Sequence, residues 1–228
     1  MVGAAEIWNG LDWSVLYGLL SAVIPSLLCI TLHELAHGWV AYRLGDNTAK
    51  ERGRLTLNPL RHIDPIGLVM MVALRFGWAK PVPVNMRNFK NPKSGMAITA
   101  LAGPMCNLLL SAVLLLIYGF IFLPLSLMGG NFADFVLDTV STASYISLAL
   151  AVFNIIPVPP LDGSKVLFSL LSEESYYKLM RYERYGMYLL VALMVTGVMR
   201  APLAGVTEFL YGKLFWIAQF AYDLTRRF

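Results

Sequence analysis

Residues 13–29 carry no charge, and apolar residues dominate the chain onward to Leu44. Further apolar stretches fall at about 94–123, 132–153, 185–199 and 206–224. Crossing a hydrocarbon core takes about 20 apolar residues in a helix. The pattern predicts an all-α polytopic membrane protein of about five transmembrane helices. Gly45-Asp46-Asn47 is the stop signal of the first helix, and Pro25 is placed to kink it. Met128-Gly129-Gly130-Asn131 predicts a short loop. The run from Asn154 to Gly163 holds Pro157, Pro159 and Pro160, which rules out regular helix there. A short helix is expected over 164–171, and Pro202 is expected to interrupt the chain between the last two spans. The last helix carries Glu208, Lys213 and Gln219, so it either spans or lies at the interface.

Charge placement orients these helices. Nine of the 18 Lys and Arg lie in the connector at 46–95. Cytosolic loops carry the excess of basic residues. The connector is therefore expected in the cytosol and the N-terminus outside, with Asn131 external. Lys165, Lys178, Arg181, Arg184 and Arg226-Arg227 mark the other cytosolic segments. Within the connector, residues 65–76 are apolar but short, which suits a partial or re-entrant helix. Prolines and valines alternate from Trp78 to Asn85. Proline lacks the donor an inner strand needs, so this stretch predicts an edge strand or small β-hairpin, able to receive an extended peptide.

Composition agrees: of 228 residues, 57% are hydrophobic and only 14% charged, against about 25% charged in soluble domains. The N-terminus lacks the basic region of a cleaved signal peptide. Cys29 and Cys106 fall in apolar runs and read as packing residues rather than a disulfide framework. No internal repeat or nucleic-acid signature is present, so the bilayer, not a nucleic acid, is the expected partner. A single transmembrane domain over 1–228 is expected, with a core at 13–172 and C-terminal helices at 173–228.

The chemistry concentrates at His33-Glu34-Leu35-Ala36-His37, an HExxH pattern at the end of the first apolar run. On a helix, i and i+4 share a face, so two imidazoles there can hold one Zn²⁺, with Glu34 in reach as general base. Ionisable residues at membrane depth are costly and mark function by default. A catalytic zinc needs a third protein ligand. Asp134 and Asp138 lie toward the opposite face on the expected topology. Asp162, just past the cytosolic end of the third span, is the first candidate, and His62 the second. Asp162 also has a plain reading as a helix N-cap. His62 reads equally as a polar residue of the connector, and Asn107 and Asn154 as interhelical hydrogen-bond glue.

HExxH in a span, followed far downstream by Asn154-x-x-Pro157-x-x-x-x-Asp162-Gly163, resembles the site-2 protease family of intramembrane zinc metalloproteases. Gly103-x-x-x-Asn107 is similar to the family's GxxxN element. The connector, from Arg54-Leu55-Thr56-Leu57-Asn58-Pro59 to Gly77-Trp78-Ala79-Lys80-Pro81-Val82-Pro83-Val84, is similar to that of its short members. The resemblance covers about 30–172. It implies one Zn²⁺ per chain held by His33, His37 and Asp162, Glu34 as catalytic acid/base, and a transmembrane protein as substrate. Neither a PDZ domain nor a C-terminal nucleotide-sensing domain is expected. Asn107, Asn154 and His62 are the candidates for binding substrate or the oxyanion. The rival functions are a metal-ion transporter, whose pathway would also carry intramembrane His and carboxylates, and an inactive scaffold.

Overall fold

A computed structural model describes residues 13–65, 67, 69 and 79–227. Most of the expected re-entrant stretch, and Trp78 at the head of the expected edge strand, lie outside the described residues. The first helix, α1 (Trp13–Arg43), runs through Pro25 without a break. It ends where Gly45 takes φ +106°, a conformation that favours glycine. The one-turn α2 (Thr48–Glu51) follows. The connector then contains two single 3₁₀ turns, Pro59–Arg61 and Met86–Asn88. Each is capped by the asparagine before it, Asn58 or Asn85, whose side chain accepts an amide of the turn.

Asn91 caps α3 (Pro92–Met128), with Pro92 at its first position, where a missing N–H costs nothing. Gly129 and Gly130, both at positive φ, reverse the chain into α4 (Asn131–Asn154). After the proline-rich turn come α5 (Asp162–Ser169), α6 (Glu173–Val195), α7 (Arg200–Leu214) and α8 (Trp216–Thr225). Among the described residues, three helices are long and apolar enough to cross a membrane: Ser21–Arg43 of α1, α3 and α4. Tyr185–Val195 and Arg200–Thr225 qualify together as a further broken span, bent by 85°.

Several boundaries differ from expectation. Helix α6 begins at Glu173, ahead of the apolar stretch expected from about 185, because Ser172 accepts the Ser175 amide and Glu173 and Glu174 occupy the first turn. Acidic side chains there favour the positive end of the helix dipole. The break before α7 falls at Gly197 (φ +73°), while Pro202 sits in α7's first turn, where proline is tolerated. The last helix is divided at Phe215. Among the described residues no strand forms; the expected edge segment is extended backbone with one isolated antiparallel bridge, Ile63 to Ala79.

Helix α3 is inverted relative to a helix on the surface of a soluble protein. Along α3, Thr99, Gly103, Asn107, Ser111, Leu115 and Gly119 are all buried at every fourth position. Ile98, Met105, Leu109, Val113 and Ile117 on the other side are 42–62% exposed. Small and polar residues inside with large apolar residues outside is the pattern of helices packed in lipid. Helix α3 packs against α1, α4, α5 and α8. Ser144 Oγ donates to the Ser111 carbonyl at 3.0 Å and Ser147 Oγ to the Asn107 carbonyl at 2.8 Å, stitching α3 to α4. At Gly119 an added Cβ would lie 2.1 Å from the Ala218 carbonyl oxygen, so the glycine lets α8 dock against α3.

Candidate metal centre

His33 and His37 stand one turn apart near the end of α1, and both are buried, 6% and 8% exposed. Their Nε2 atoms lie 2.9 Å apart. Asp162 Oδ2 is 3.1 Å from each of them. Donors on a tetrahedron with bonds of about 2.0–2.1 Å sit roughly 3.3 Å from one another. The observed triangle of two imidazole nitrogens and a carboxylate oxygen therefore has nearly the edge length that tetrahedral zinc requires, with donor types that suit it.

Helix α3 backs both histidines with one row of residues. The Thr99 carbonyl can only accept, so His37 Nδ1 carries the hydrogen and donates to it at 2.7 Å. That leaves His37 Nε2 as a bare lone pair directed at the cluster. One turn on, Gly103 leaves room for the centre: a Cβ there would be 2.4 Å from His37 Nε2 and 2.6 Å from His33 Nε2. A further turn on, the Asn107 amide lies 3.2 Å from His33 Nδ1.

Asp162 arrives from the other side. It occupies the first turn of α5, and the cap position belongs to Leu161, so the N-cap reading of Asp162 does not hold. Its helix can approach because Gly163 is against the preceding turn, where a Cβ would be 2.0 Å from the Ile155 carbonyl oxygen. Gly186 of α6 meets the same turn, its Cβ position falling 2.5 Å from both Cβ and carbonyl oxygen of Pro159. Lys165 Nζ stands 3.8 Å from Asp162 Oδ1, on the side away from the histidines' shared oxygen Oδ2.

A cavity of about 820 Å³ opens beside the three groups. Glu34 lines it with Pro81, Val82, Val84 and Asn85 of the extended connector segment, with Met86 of the following 3₁₀ turn, and with Phe153, Asn154, Met180 and Leu190. The Val82 amide donates to Glu34 Oε2 at 2.7 Å. Prolines on either side leave Val82 as the one amide donor of 81–83. The segment is pinned by two buried groups, Asp46 and Arg54. Asp46, fully buried, accepts the Asn85 amide at 2.7 Å, the Asn88 side chain at 2.7 Å and the Thr48 amide at 3.1 Å. Arg54, 7% exposed, donates to the Lys80 carbonyl. An Asp directly after a helix-ending Gly was the visible signal for Asp46; nothing local marks Thr99, which acts through its backbone, or Gly186.

The remaining candidates separate. Asn154 lines the cavity, with its Nδ2 donating to the Leu150 carbonyl at 3.0 Å. Asn107 is fully buried behind His33, away from the cavity wall. His62 is 1% exposed and its Nε2 donates to the Thr56 carbonyl at 2.9 Å, while its own carbonyl accepts the Lys80 amide. His62 thus closes the connector on itself and joins neither the metal cluster nor the cavity. Pro157 stands in the turn before Asp162 and is exposed.

A buried His-His-Asp set, its two histidines on a membrane-crossing helix and a further carboxylate beside it in a cavity, has the donors of a metallohydrolase site. The family model for Peptidase family M50 matches residues 122–197. The chain is similar to proteins named Putative zinc metalloprotease: YwhC of Bacillus subtilis, 39% identical over 76% of this chain and 80% of the relative, and Rip2 of Mycobacterium tuberculosis, 28% identical over 81% and 70%. It is also similar to Zinc metalloprotease MJ0392 of Methanocaldococcus jannaschii, 29% identical over 78% of this chain and 40% of the relative. No solved structure matches. The chain belongs to Peptidase family M50, the site-2 proteases, and is an intramembrane zinc metalloprotease acting on membrane-embedded substrates.

Proposed function

We propose that the enzyme hydrolyses a peptide bond in or near a transmembrane segment of a membrane-protein substrate, with His33, His37 and Asp162 holding one Zn²⁺ and Glu34 as general acid/base. The observation that carries this reading is Glu34 in the wall of the cavity that also holds the three ligand atoms. When bound, zinc supplies Lewis acidity, making water nucleophilic near neutral pH and polarising a carbonyl. Glu34, fixed at one oxygen by the Val82 amide, keeps its other oxygen to take a proton from water and return it to the leaving amine. Asn154, whose Nδ2 gives one hydrogen to the Leu150 carbonyl and keeps the other, is the candidate in the cavity wall to donate to a developing oxyanion. A helical substrate must unwind to expose a carbonyl, and the segment at 79–85 offers the unwound backbone an edge.

The proposed topology has five crossings in the cell membrane, counting α6 and the α7–α8 pair separately. It is N-outside, with the connector, the centre and Arg226-Arg227 toward the cytosol, and it forms one domain. The positive-inside bias of the connector supports it.

The test is Glu34→Gln beside His37→Ala and Asp162→Ala, each purified in detergent. Glu34→Gln should keep one zinc per chain while cleavage falls by at least 10³-fold, and the two ligand variants should lose the metal. Full zinc content in Asp162→Ala would remove it from the ligand set, and cleavage by Glu34→Gln at the wild-type rate would remove the assigned base.

A further inference from the structure

We propose that Asn107 is a positioning residue for the zinc ligand His33: its side-chain oxygen accepts the hydrogen of His33 Nδ1 and so turns a bare Nε2 toward the metal. The inference rests on the ligand set proposed above and assigns Asn107 a place behind the centre instead of against the substrate.

Three observations carry it. First, Asn107 is fully buried, its amide is 3.2 Å from His33 Nδ1, and it does not line the cavity. Second, with the amide nitrogen turned to His33, Asn107 Oδ1 is buried without a hydrogen-bond partner. That orientation also makes His33 Nδ1 the acceptor and puts the ring hydrogen on Nε2, between the other two ligand atoms, where it would block a metal. Oxygen and nitrogen of an amide are interchangeable in shape, and the hydrogen-bond network decides between them. Turning the amide over gives Oδ1 a donor and frees His33 Nε2, and it moves the amide nitrogen to the buried position where Oδ1 had no partner; the bare Nε2 that a metal needs is what favours it. Third, the other histidine is already arranged this way, since His37 Nδ1 donates to the Thr99 carbonyl. Thr99 and Asn107 stand two turns apart on the buried row of α3, either side of Gly103. One helix face thus sets the tautomer of both imidazoles and leaves the gap between them for the ion.

Metal-ligating histidines usually donate their second nitrogen to such a partner, and losing the partner typically weakens metal binding 10–100-fold. The experiment compares Asn107→Asp, which keeps an acceptor at the same reach, with Asn107→Leu, which keeps the shape without one. Zinc affinity is measured by chelator competition, and the visible absorption of the Co²⁺-substituted proteins is recorded. Asn107→Leu should bind zinc 10–100-fold more weakly, and Asn107→Asp should stay within about threefold of wild type with the wild-type Co²⁺ bands. Equal weakening in both variants would indicate packing alone and overturn the proposal, as would wild-type affinity in Asn107→Leu. Should either variant fail to fold, ¹⁵N NMR of the histidines in zinc-loaded wild type decides. A hydrogen on His33 Nδ1 supports the assignment, and a hydrogen on His33 Nε2 overturns it. His37→Ala is run alongside. If it binds zinc like wild type, the ligand set has failed, whereas loss in His37→Ala with no loss in Asn107→Leu refutes the role of Asn107 alone.

Discussion

Gly103→Ala adds one methyl group, and its location makes the effect calculable. The new Cβ would lie 2.4 Å from His37 Nε2, 2.5 Å from His33 Cε1 and 2.6 Å from His33 Nε2, where ordinary contact begins at 3.4 Å. The shortfall is 0.8–1.0 Å against atoms of both rings. Helix α3 cannot retreat easily, because α1, α4, α5 and α8 all pack on it. The imidazoles must yield instead, and each is tethered by its far nitrogen to Thr99 or Asn107. Metal–ligand distances tolerate only about 0.2 Å, so a displacement several times larger pulls both nitrogens out of bonding range. We expect zinc affinity to fall at least 100-fold, about 2.8 kcal/mol. Overpacking should cost the metal-free fold a further 1–3 kcal/mol, roughly. Metal content and chelator competition on detergent-purified protein measure the first, and thermal unfolding with chelator measures the second. Leu109→Ala, on the lipid-facing side of the same helix, is the control and should leave zinc binding unchanged. One tightly bound zinc in Gly103→Ala would refute the reasoning, since it would mean the metal is held elsewhere than over this glycine.

Three further outcomes follow from the same geometry. Burial alone would raise the Asp46 carboxyl, but donors from Thr48, Asn85 and Asn88 outweigh it and lower its pKa. Its contribution is therefore present above the unfolded value of about 3.9 and is lost as pH falls through the folded one. Melting temperature should drop with acid more steeply in wild type than in Asp46→Asn, and matching slopes would contradict this. At neutral pH, Asp46→Ala should lose about 3 kcal/mol of stability, checked by chemical unfolding. Replacing 79–84 with a Gly-Ser linker should leave zinc bound, abolish cleavage of a helical transmembrane substrate, and affect a short unfolded peptide less; wild-type rates on both would make the segment a mere connector. Cysteines placed at Lys50, Asn131 and Arg227 should react with an impermeant reagent from outside only at Asn131, and labelling at Lys50 alone would invert the topology.

Local rules settled much of this protein in advance. Helical periodicity puts His33 and His37 on one turn, since i and i+4 superpose whatever surrounds them. Lipid solvation fixes where long apolar helices lie, because an unpaired backbone group in hydrocarbon costs too much. Glycine pairs and proline clusters marked the turns at 129–130 and 155–161. What the chain could not show by itself were relations across distance. Topology and motif already made Asp162 the first candidate for a third ligand, but its 3.1 Å approach to His33, 129 positions away, depends on the seating of α5 against Ile155 through Gly163. The partners of the histidines are a backbone carbonyl at Thr99 and an amide at Asn107, and no residue type announces that a carbonyl will be used. His62 and Asn107 looked alike as polar groups near a centre; packing sent one into the connector and the other behind His33. The apolar stretch expected from about 185 is the membrane part of α6, while the helix itself begins at Glu173, since hydropathy locates the apolar part of a helix and its first turn is decided by the Ser172 cap. Sequence fixes which groups are available and their local spacing, whereas the distances between elements, on which chemistry depends, come from how the helices pack.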